Sequence, residues 1–325
     1  MTTNHPFLAI GVDVGKRSLE IALGPDVPKT TLLRNHPDDI ASWLAQLDPH
    51  TCAIALEATG PYHLDLCLQA HQAGFAVFVL DGLRLSRYRD SIGQRAKTDA
   101  CDARLLARYL AHEHPRLRPW CPPPTAYRRL LGLLRRRAQL VRTRTRLEAD
   151  QRRSTDDPLL HQAYEPLLAA LRTTIATLER LILRTLAEAD WLDHAQRLQA
   201  IEGIGPLTAT ALTTAFHRAT FHSSDAFVAF LGLDVRVRDS GSRRHRRRLS
   251  KQGEPELRRL LYLSAMQMAR HPRWRPLAER YRARGLAPTQ IFVILARKLA
   301  RIAFALLRDG STYQPPVMPQ PTANT

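Results

Sequence analysis

Two aspartates, Asp99 and Asp102, stand three residues apart in RAKTDACDARLLARYL, residues 95–110, whose apolar spacing predicts a helix. At that spacing both carboxylates leave one helical face and come within reach of a single ion. Like charges so placed repel unless a cation holds them or one keeps its proton. A bare DxxD is more often a solvated acidic face, so other acids must decide the matter. Asp13 closes the apolar run FLAIGVDV, and Glu57 closes TCAIALE. Strands often end on acids, and neither is exceptional alone. If the two strand ends are neighbours in a mixed sheet and the 95–110 helix crosses the same edge, all four acids converge. Four negative charges share a small space only with divalent cations among them. All-oxygen ligands select Mg²⁺, or Mn²⁺ in its place, over zinc. Two such ions about 3.5–4 Å apart clamp the attacking and leaving oxygens of a phosphodiester.

A second cluster carries the opposite charge. Arg236, Arg238, Arg243, Arg244, Arg246, Arg247 and Arg248 lie between Val235 and Ser250, and Lys251 follows. Such a loop can simply hug phosphates or serve as a localisation tag. The Ser240-Gly241-Ser242 inside it offers a sharper reading, a hydroxyl held near a scissile phosphate among guanidinium groups that stabilise transition-state charge. In LQAIEGIGPLTATALTTAF, Gly203 and Gly205 separate two short helical runs, the pattern of a helix-hairpin-helix. Paired glycines permit left-handed backbone angles, and the next helix then turns its free N–H groups towards a phosphate. An ordinary tight turn is the plainer alternative. Arg128, Arg129, Arg135, Arg136, Arg137, Arg142, Arg144 and Arg146 crowd one helix with only Glu148 nearby to balance them. Charge runs are usually solvated, but this imbalance favours a surface facing nucleic acid.

These groups need elements to position them. Residues 1–118 read as an α/β domain with a mixed sheet: three strands, a helix, a strand, a helix, a further strand and a final helical stretch. WCPPPT breaks regular structure at 120–125. Residues 119–195 read as a helical segment, with Tyr164, Leu168, Leu171, Ile175, Leu178 and Ile182 forming a heptad seam. STDDP interrupts it, so two antiparallel helices are expected, packed within the chain or against a second copy. Residues 196–310 form a mainly helical domain with helices over 255–270, 274–284 and 288–308, and with Trp274 and Phe292 as core. The Pro-rich tail 311–325 is expected to be disordered.

Composition narrows the partners. The 325 residues carry 48 Lys and Arg against 30 Asp and Glu, a formal charge of +18, which points to a polyanion. The N-terminal MTTNHPFLAI lacks the charged and apolar regions of a signal peptide, and no apolar run would span a bilayer. Cys52, Cys67, Cys101 and Cys121 show neither CxxC nor zinc-like spacing and read as reduced thiols, mostly buried. The expectation is a cytoplasmic protein with a nucleic-acid partner and no membrane partner.

GVDVGK, LEATGPYH and AKTDACDARLLA, with IEGIGPLTA, FLGL and RDSG…RLSKQG, resemble the DEDD transposases of the insertion-sequence one-ten family, relatives of the Piv-type DNA invertases. The likeness runs from about residue 7 to 308. It implies a RuvC-like, ribonuclease-H-like N-terminal fold, a helical coiled-coil segment and a C-terminal transposase domain. It implies that Asp13, Glu57, Asp99 and Asp102 bind metal and that Ser240 is the recombination nucleophile, with Ser242 a second hydroxyl in the same block. It also implies double-stranded target and donor DNA, a structured noncoding guide RNA, and homo-oligomers (dimers or tetramers) with composite sites. Asp234-Val235 replaces the family's Pro after Gly-Leu, and Asp81-Gly82 replaces an Asn-Pro. Neither departure is expected to touch a proposed ligand.

Three functions fit such a chain: a transposase or recombinase, a RuvC-like nuclease in which water attacks, and a non-enzymatic nucleic-acid binder. The complete carboxylate set disfavours the binder. The large serine-bearing C-terminal domain disfavours the nuclease.

Overall fold

The structure, a computed structural model, describes residues 7–153, 158–236, 239–240, 243–244 and 247–315, with only the backbone at 239–240 and 243–244. It forms two compact units, divided between Pro122 and Pro123.

In the first unit β1 (Leu8–Val14), β2 (Ser18–Ala22) and β3 (Thr31–Arg34) make an antiparallel ladder. The chain continues through α1 (Pro37–Leu44), β4 (Cys52–Glu57), α2 (Leu64–Gln72), β5 (Ala76–Leu80), α3 (Gly82–Ser91) and α4 (Asp99–Glu113). β4 pairs parallel to β1 and β5 parallel to β4, giving the order β3-β2-β1-β4-β5. Side chains alternate across this sheet. Ile10, Val12, Ile54 and Leu56 join a core with Ile40 and Leu44 of α1 and Leu66 of α2. Ala9, Ala53 and Ala55 join a second core with Leu85 of α3 and Leu105, Leu106 and Leu110 of α4. Period two therefore turns Gly11, Asp13 and Glu57 to the α3–α4 face. That face is lined by small residues, so α4 comes close to the strands.

The expected 95–110 helix begins only at Asp99. Thr98 is extended, and its hydroxyl accepts a hydrogen bond from Cys101 N at 3.2 Å, an N-cap. Asp99 and Asp102 thus occupy the first turn, where the helix dipole favours negative charge.

In the second unit α5 (Thr125–Arg153) and α6 (Pro158–Glu188) run antiparallel. Arg129 pairs with Glu188 at 3.1 Å near one end, and Gln151 donates to the His161 carbonyl near the other. The heptad residues Leu168, Ile175 and Ile182 are buried, so the seam packs within the chain. Residues 154–157 of the expected turn lie outside the described residues. There follow α7 (Leu192–Leu198), α8 (Pro206–Phe216), α9 (Ser224–Phe230), four two-residue strands, α10 (Pro255–Arg270), α11 (Arg275–Ala283) and α12 (Pro288–Asp309). The strands are β6 (Val235–Arg236), β7 (Asp239–Ser240), β8 (Arg243–Arg244) and β9 (Arg248–Leu249). Leu130 and Leu134 of α5, with Ile182 and Leu186 of α6, share one core with α8, α10 and α12. The helix pair is therefore built into this unit.

Trp274 is fully buried, and Phe292 is half-buried edge-on to Tyr262, as core residues should be. The tail departs from expectation at its start: residues 311–315 are placed, and Tyr313 donates its hydroxyl to Glu202 at 2.5 Å. Residues 316–325 lie outside the described part. All four cysteines are free thiols, with Cys52 and Cys67 buried, Cys101 half-buried and Cys121 exposed. Among the described residues no helix is long and apolar enough to cross a membrane.

Candidate active site

Asp13 follows Val12, which is paired in register with Leu56, so Asp13 and Glu57 leave adjacent parallel strands at the same level. α4 brings Asp99 and Asp102 over that edge. Two glycines make the approach possible. A Cβ on Gly11 would lie 1.9 Å from the Ala103 carbonyl oxygen and 2.4 Å from Ala107 N, so only glycine lets α4 settle on β1. A Cβ on Gly82 would lie 2.2 Å from Glu57 Oε1. The Asp81-Gly82 departure was expected to stay clear of the ligands, yet Gly82 forms the wall against which Glu57 rests. Asp81 caps α3, accepting from Arg84 N at 3.1 Å. Asn35 ties the neighbouring loops together, donating to the Gly15 carbonyl at 2.9 Å and the Tyr62 carbonyl at 3.1 Å.

The electrostatics carry the mark of crowding. The Asp13 carboxyl is raised from its ordinary 3.8 to about 6, first by burial and then by Asp99, Asp102, Glu57 and Glu20. Glu20 sits opposite Asp13 in the β1–β2 ladder and so shares its face. Its hydroxyl partner is Thr30. Glu20 escaped the sequence reading because an acid at the middle of a half-buried strand looks like an ordinary solvent-facing position. Asp102 has a cationic partner besides its acidic neighbours. It accepts from Arg89 Nη2 at 2.7 Å, with both side chains 15% exposed. Among the described residues no three acids, histidines or cysteines stand close enough together to hold an ion. The four acids share one edge without closing on a common point. An all-oxygen donor set around a carboxyl that burial and neighbouring charge push towards its neutral form suits a hard divalent cation.

The serine lies in the other unit. β7 places Ser240 opposite Arg243 in a two-residue ladder with β8. Ser242, Arg238 and Arg246 lie outside the described residues, as do the side chains of Ser240, Arg243 and Arg244. What holds this arm is its base. β6 pairs with β9, Val235 with Leu249 and Arg236 with Arg248. Ser250 N donates to the Asp234 carbonyl at 2.9 Å, while the Ser250 hydroxyl donates to the Asp234 carboxylate. Gly232 is left-handed at φ 69°, and a Cβ on Gly253 would lie 2.4 Å from the Phe230 carbonyl oxygen. FLGL and SKQG are thus two turns pressed backbone to backbone. Asp234, another departure from the family pattern, is one side of the clasp.

The glycine turn before α8 is half as expected. Gly203 is left-handed at φ 88° and packs its Cα on Ser264 and Met268 of α10, whereas Gly205 has φ −89°, caps α8 and faces open space. The α5 arginines differ more. Arg135 pairs with Glu254, Arg137 with Glu179 at 2.8 Å, Arg142 with Glu256 at 3.7 Å and Arg144 with Glu148 at 3.4 Å. Except for Arg144, whose partner Glu148 is four residues on, acids distant in sequence neutralise them, which counting local acids could not reveal. Arg128, Arg136 and Arg146 are exposed and make no ion pair among the described residues. Arg236 is half-buried, and Arg247 and Lys251 are exposed, around the arm.

A family profile for DEDD transposases of the IS110 type matches residues 10–155, and one for the transposase IS116/IS110/IS902 family matches residues 195–282. The pilin gene-inverting protein of Moraxella bovis is 28% identical over 322 residues, covering 94% of this chain and 97% of that protein. The transposase for insertion sequence element IS1111A of Coxiella burnetii is 35% identical over 144 residues, 41% of this chain and 37% of its own. The transposase for insertion sequence element IS1328 of Yersinia enterocolitica is 34% identical over 165 residues, 47% of this chain and 46% of its own.

Proposed function

The chain belongs to the IS110-type DEDD transposases, enzymes that cut and rejoin DNA, and from that premise we propose that Asp13, Glu57, Asp99 and Asp102 form its metal-dependent centre and Ser240 its nucleophile. The observation that carries the reading is the placement of Asp13 and Glu57 at one level of adjacent parallel strands, with Asp99 and Asp102 in the first turn of the helix packed on β1, a crowding that raises the Asp13 carboxyl. These carboxylates would hold Mg²⁺, or Mn²⁺ in its place, as two ions. When bound, the ions supply charge stabilisation to a phosphodiester under attack. The strand order and directions support a ribonuclease-H-like, RuvC-like fold for the first unit. The α5–α6 pair supports the coiled-coil segment.

The Ser240 oxygen attacks the phosphorus, and the bond from phosphorus to the leaving deoxyribose oxygen breaks, that oxygen departing with a proton. The phosphoserine ester keeps the bond energy in covalent form. A deoxyribose hydroxyl of the incoming strand then attacks the same phosphorus, makes the new DNA bond and returns the serine hydroxyl. Arg236, Arg238, Arg243, Arg244, Arg246, Arg247 and Lys251 line the arm with positive charge and stabilise the crowded phosphate. Gly203 and Gly205 set the turn of a helix-hairpin-helix on the DNA backbone, and Arg136 adds a phosphate contact from α5. Positive charge of +18 also suits a structured guide RNA that pairs with target and donor. Homo-oligomers would bring the serine arm of one subunit to the acid cluster of another. A relative named for inverting a pilin gene supports rearrangement of a DNA segment as the outcome.

Asp102→Asn tests the centre. The variant is expected to fold with some loss of stability, since Arg89 loses its charged partner, to bind DNA normally and to lose strand exchange in Mg²⁺. Near-normal exchange would remove Asp102 from the site.

A further inference from the structure

Arg89, near the end of α3, takes no part in the chemistry above. Its Nη2 lies 2.7 Å from Asp102 Oδ1, its side chain is as buried as that of Asp102, and its Nε is buried without a partner. Asp13, Glu57, Glu20 and Asp99 add their charge to the same small region. We propose that Arg89 is the built-in counter-ion of the acid cluster. It occupies the Asp102 carboxylate when no metal is bound and so sets the divalent-ion concentration at which the site loads. This rests on the four acids being the metal site.

A buried ion pair adds little net stability over an apolar pair, but losing one partner strands the other's charge. Here the stranded charge would be Asp102, among four more carboxylates that already repel one another. Without Arg89 the empty site should therefore lose stability. A divalent cation would then meet a more negative cluster, with the Asp102 carboxylate free and no guanidinium to displace. Both changes tighten metal binding. An arginine that merely joins α3 to α4 would shift stability and leave affinity unchanged or weaker. The two roles therefore predict opposite outcomes for one measurement.

The experiment titrates Mn²⁺ into the full chain, without DNA, for wild type, Arg89→Gln and Arg89→Lys, and follows melting in chelator. Arg89→Gln is expected to melt lower in chelator and to bind Mn²⁺ about tenfold tighter, the scale of removing one unit charge from a partly screened site. Arg89→Lys keeps the charge but loses the fork that grips a carboxylate, and its affinity should fall between the two. Should Arg89→Gln not fold, the lysine variant decides alone, because wild-type or weaker affinity in it overturns the counter-ion role. Unchanged or weaker binding in a folded Arg89→Gln does the same and leaves the metal reading standing. Absence of saturable Mn²⁺ binding in wild type overturns the metal reading and the inference together.

Discussion

Gly11 and Ala103 meet with no room for a methyl group between them: a Cβ on Gly11 would sit 1.9 Å from the Ala103 carbonyl oxygen. This contact sets how far α4, with Asp99 and Asp102 in its first turn, stands from β1, with Asp13 at its end. Gly11→Ala cannot be absorbed by a flexible side chain, because the obstructing atoms are backbone. The variant should lose about 1–3 kcal/mol or more in denaturant unfolding, and its strand exchange should fall further than that loss of folded protein explains. Wild-type stability in Gly11→Ala would show that α4 is free to move outward.

Asp13 gives stability a defined pH dependence. Its carboxyl titrates near 3.8 in its ordinary state and at about 6 in the folded protein. Between those values folding takes up a proton, so this group makes the metal-free protein less stable as pH rises, down to a plateau above about pH 6. Asp13→Asn removes the charge. The variant should be more stable than wild type above that range in chelator, equal to it below about 3.8, and inactive throughout. Melting curves across pH in chelator measure it. A variant less stable at neutral pH would show that the carboxylate is held by favourable contacts.

The two glycines before α8 should part company. A Cβ on Gly203 would lie 2.6 Å from the Ser264 carbonyl oxygen, and its φ of 88° is left-handed, whereas Gly205 faces open space at φ −89°. Gly203→Ala should therefore cost folding stability. Gly205→Ala should fold normally and lower DNA affinity several-fold by filling the approach to the α8 N–H groups. Electrophoretic mobility shifts with folded Gly205→Ala decide it, and unchanged affinity would remove this turn from the DNA interface.

What the sequence made legible follows apolar runs and apolar repeats. The apolar runs FLAIGVDV and TCAIALE placed Asp13 and Glu57 at strand ends, and their adjacency then followed from a mixed sheet with parallel β1 and β4. The heptad seam of α6 was equally plain, because burial repeats along it. Close approaches were hidden. Gly11 and Gly82 look like any loop or strand glycine until the atoms they face are known, and Arg89 is one arginine among many. The α5 arginines show the limit most clearly. Four of their partners, Glu179, Glu188, Glu254 and Glu256, lie 42 to 119 positions away along the chain, and only the fold brings them near. Thr98 could have marked the true start of α4, since a threonine before an acidic first turn is a capping signal.

Nucleic-acid binding should fall steeply with salt, since each phosphate contact releases condensed counterions. Contacts from the arm and from Arg136, about 6–10 in all, would cost about 10³–10⁵ in affinity between about 50 and 200 mM salt. Arg136→Gln should weaken binding for all sequences alike and flatten the salt slope by about one contact. Arg135→Gln should leave the slope unchanged and lower stability instead, because Arg135 is engaged with Glu254. Equal slopes for Arg136→Gln and wild type would take α5 out of the interface.

The sharpest separation is between a serine that attacks and a water that attacks. A serine hydroxyl is a weak nucleophile at neutral pH and needs a base, a metal or neighbouring positive charge to activate it. The arm supplies the charge, and its base is fixed by β6–β9 pairing and by the Asp234–Ser250 clasp. Ser240→Ala should leave divalent binding and DNA affinity near wild type while removing the covalent intermediate. Quenching the reaction in denaturant on labelled DNA should show a protein–DNA adduct in wild type and none in Ser240→Ala. An adduct lost in Ser242→Ala and kept in Ser240→Ala would move the nucleophile two residues along. Asp234→Ala should reduce the adduct at unchanged DNA affinity, with Asp234→Asn recovering part of it, because the amide oxygen still accepts the Ser250 hydroxyl. If wild type forms no adduct and cleavage survives in Ser240→Ala, the strand is being hydrolysed, and the acid cluster works as a nuclease with water in the place of the serine.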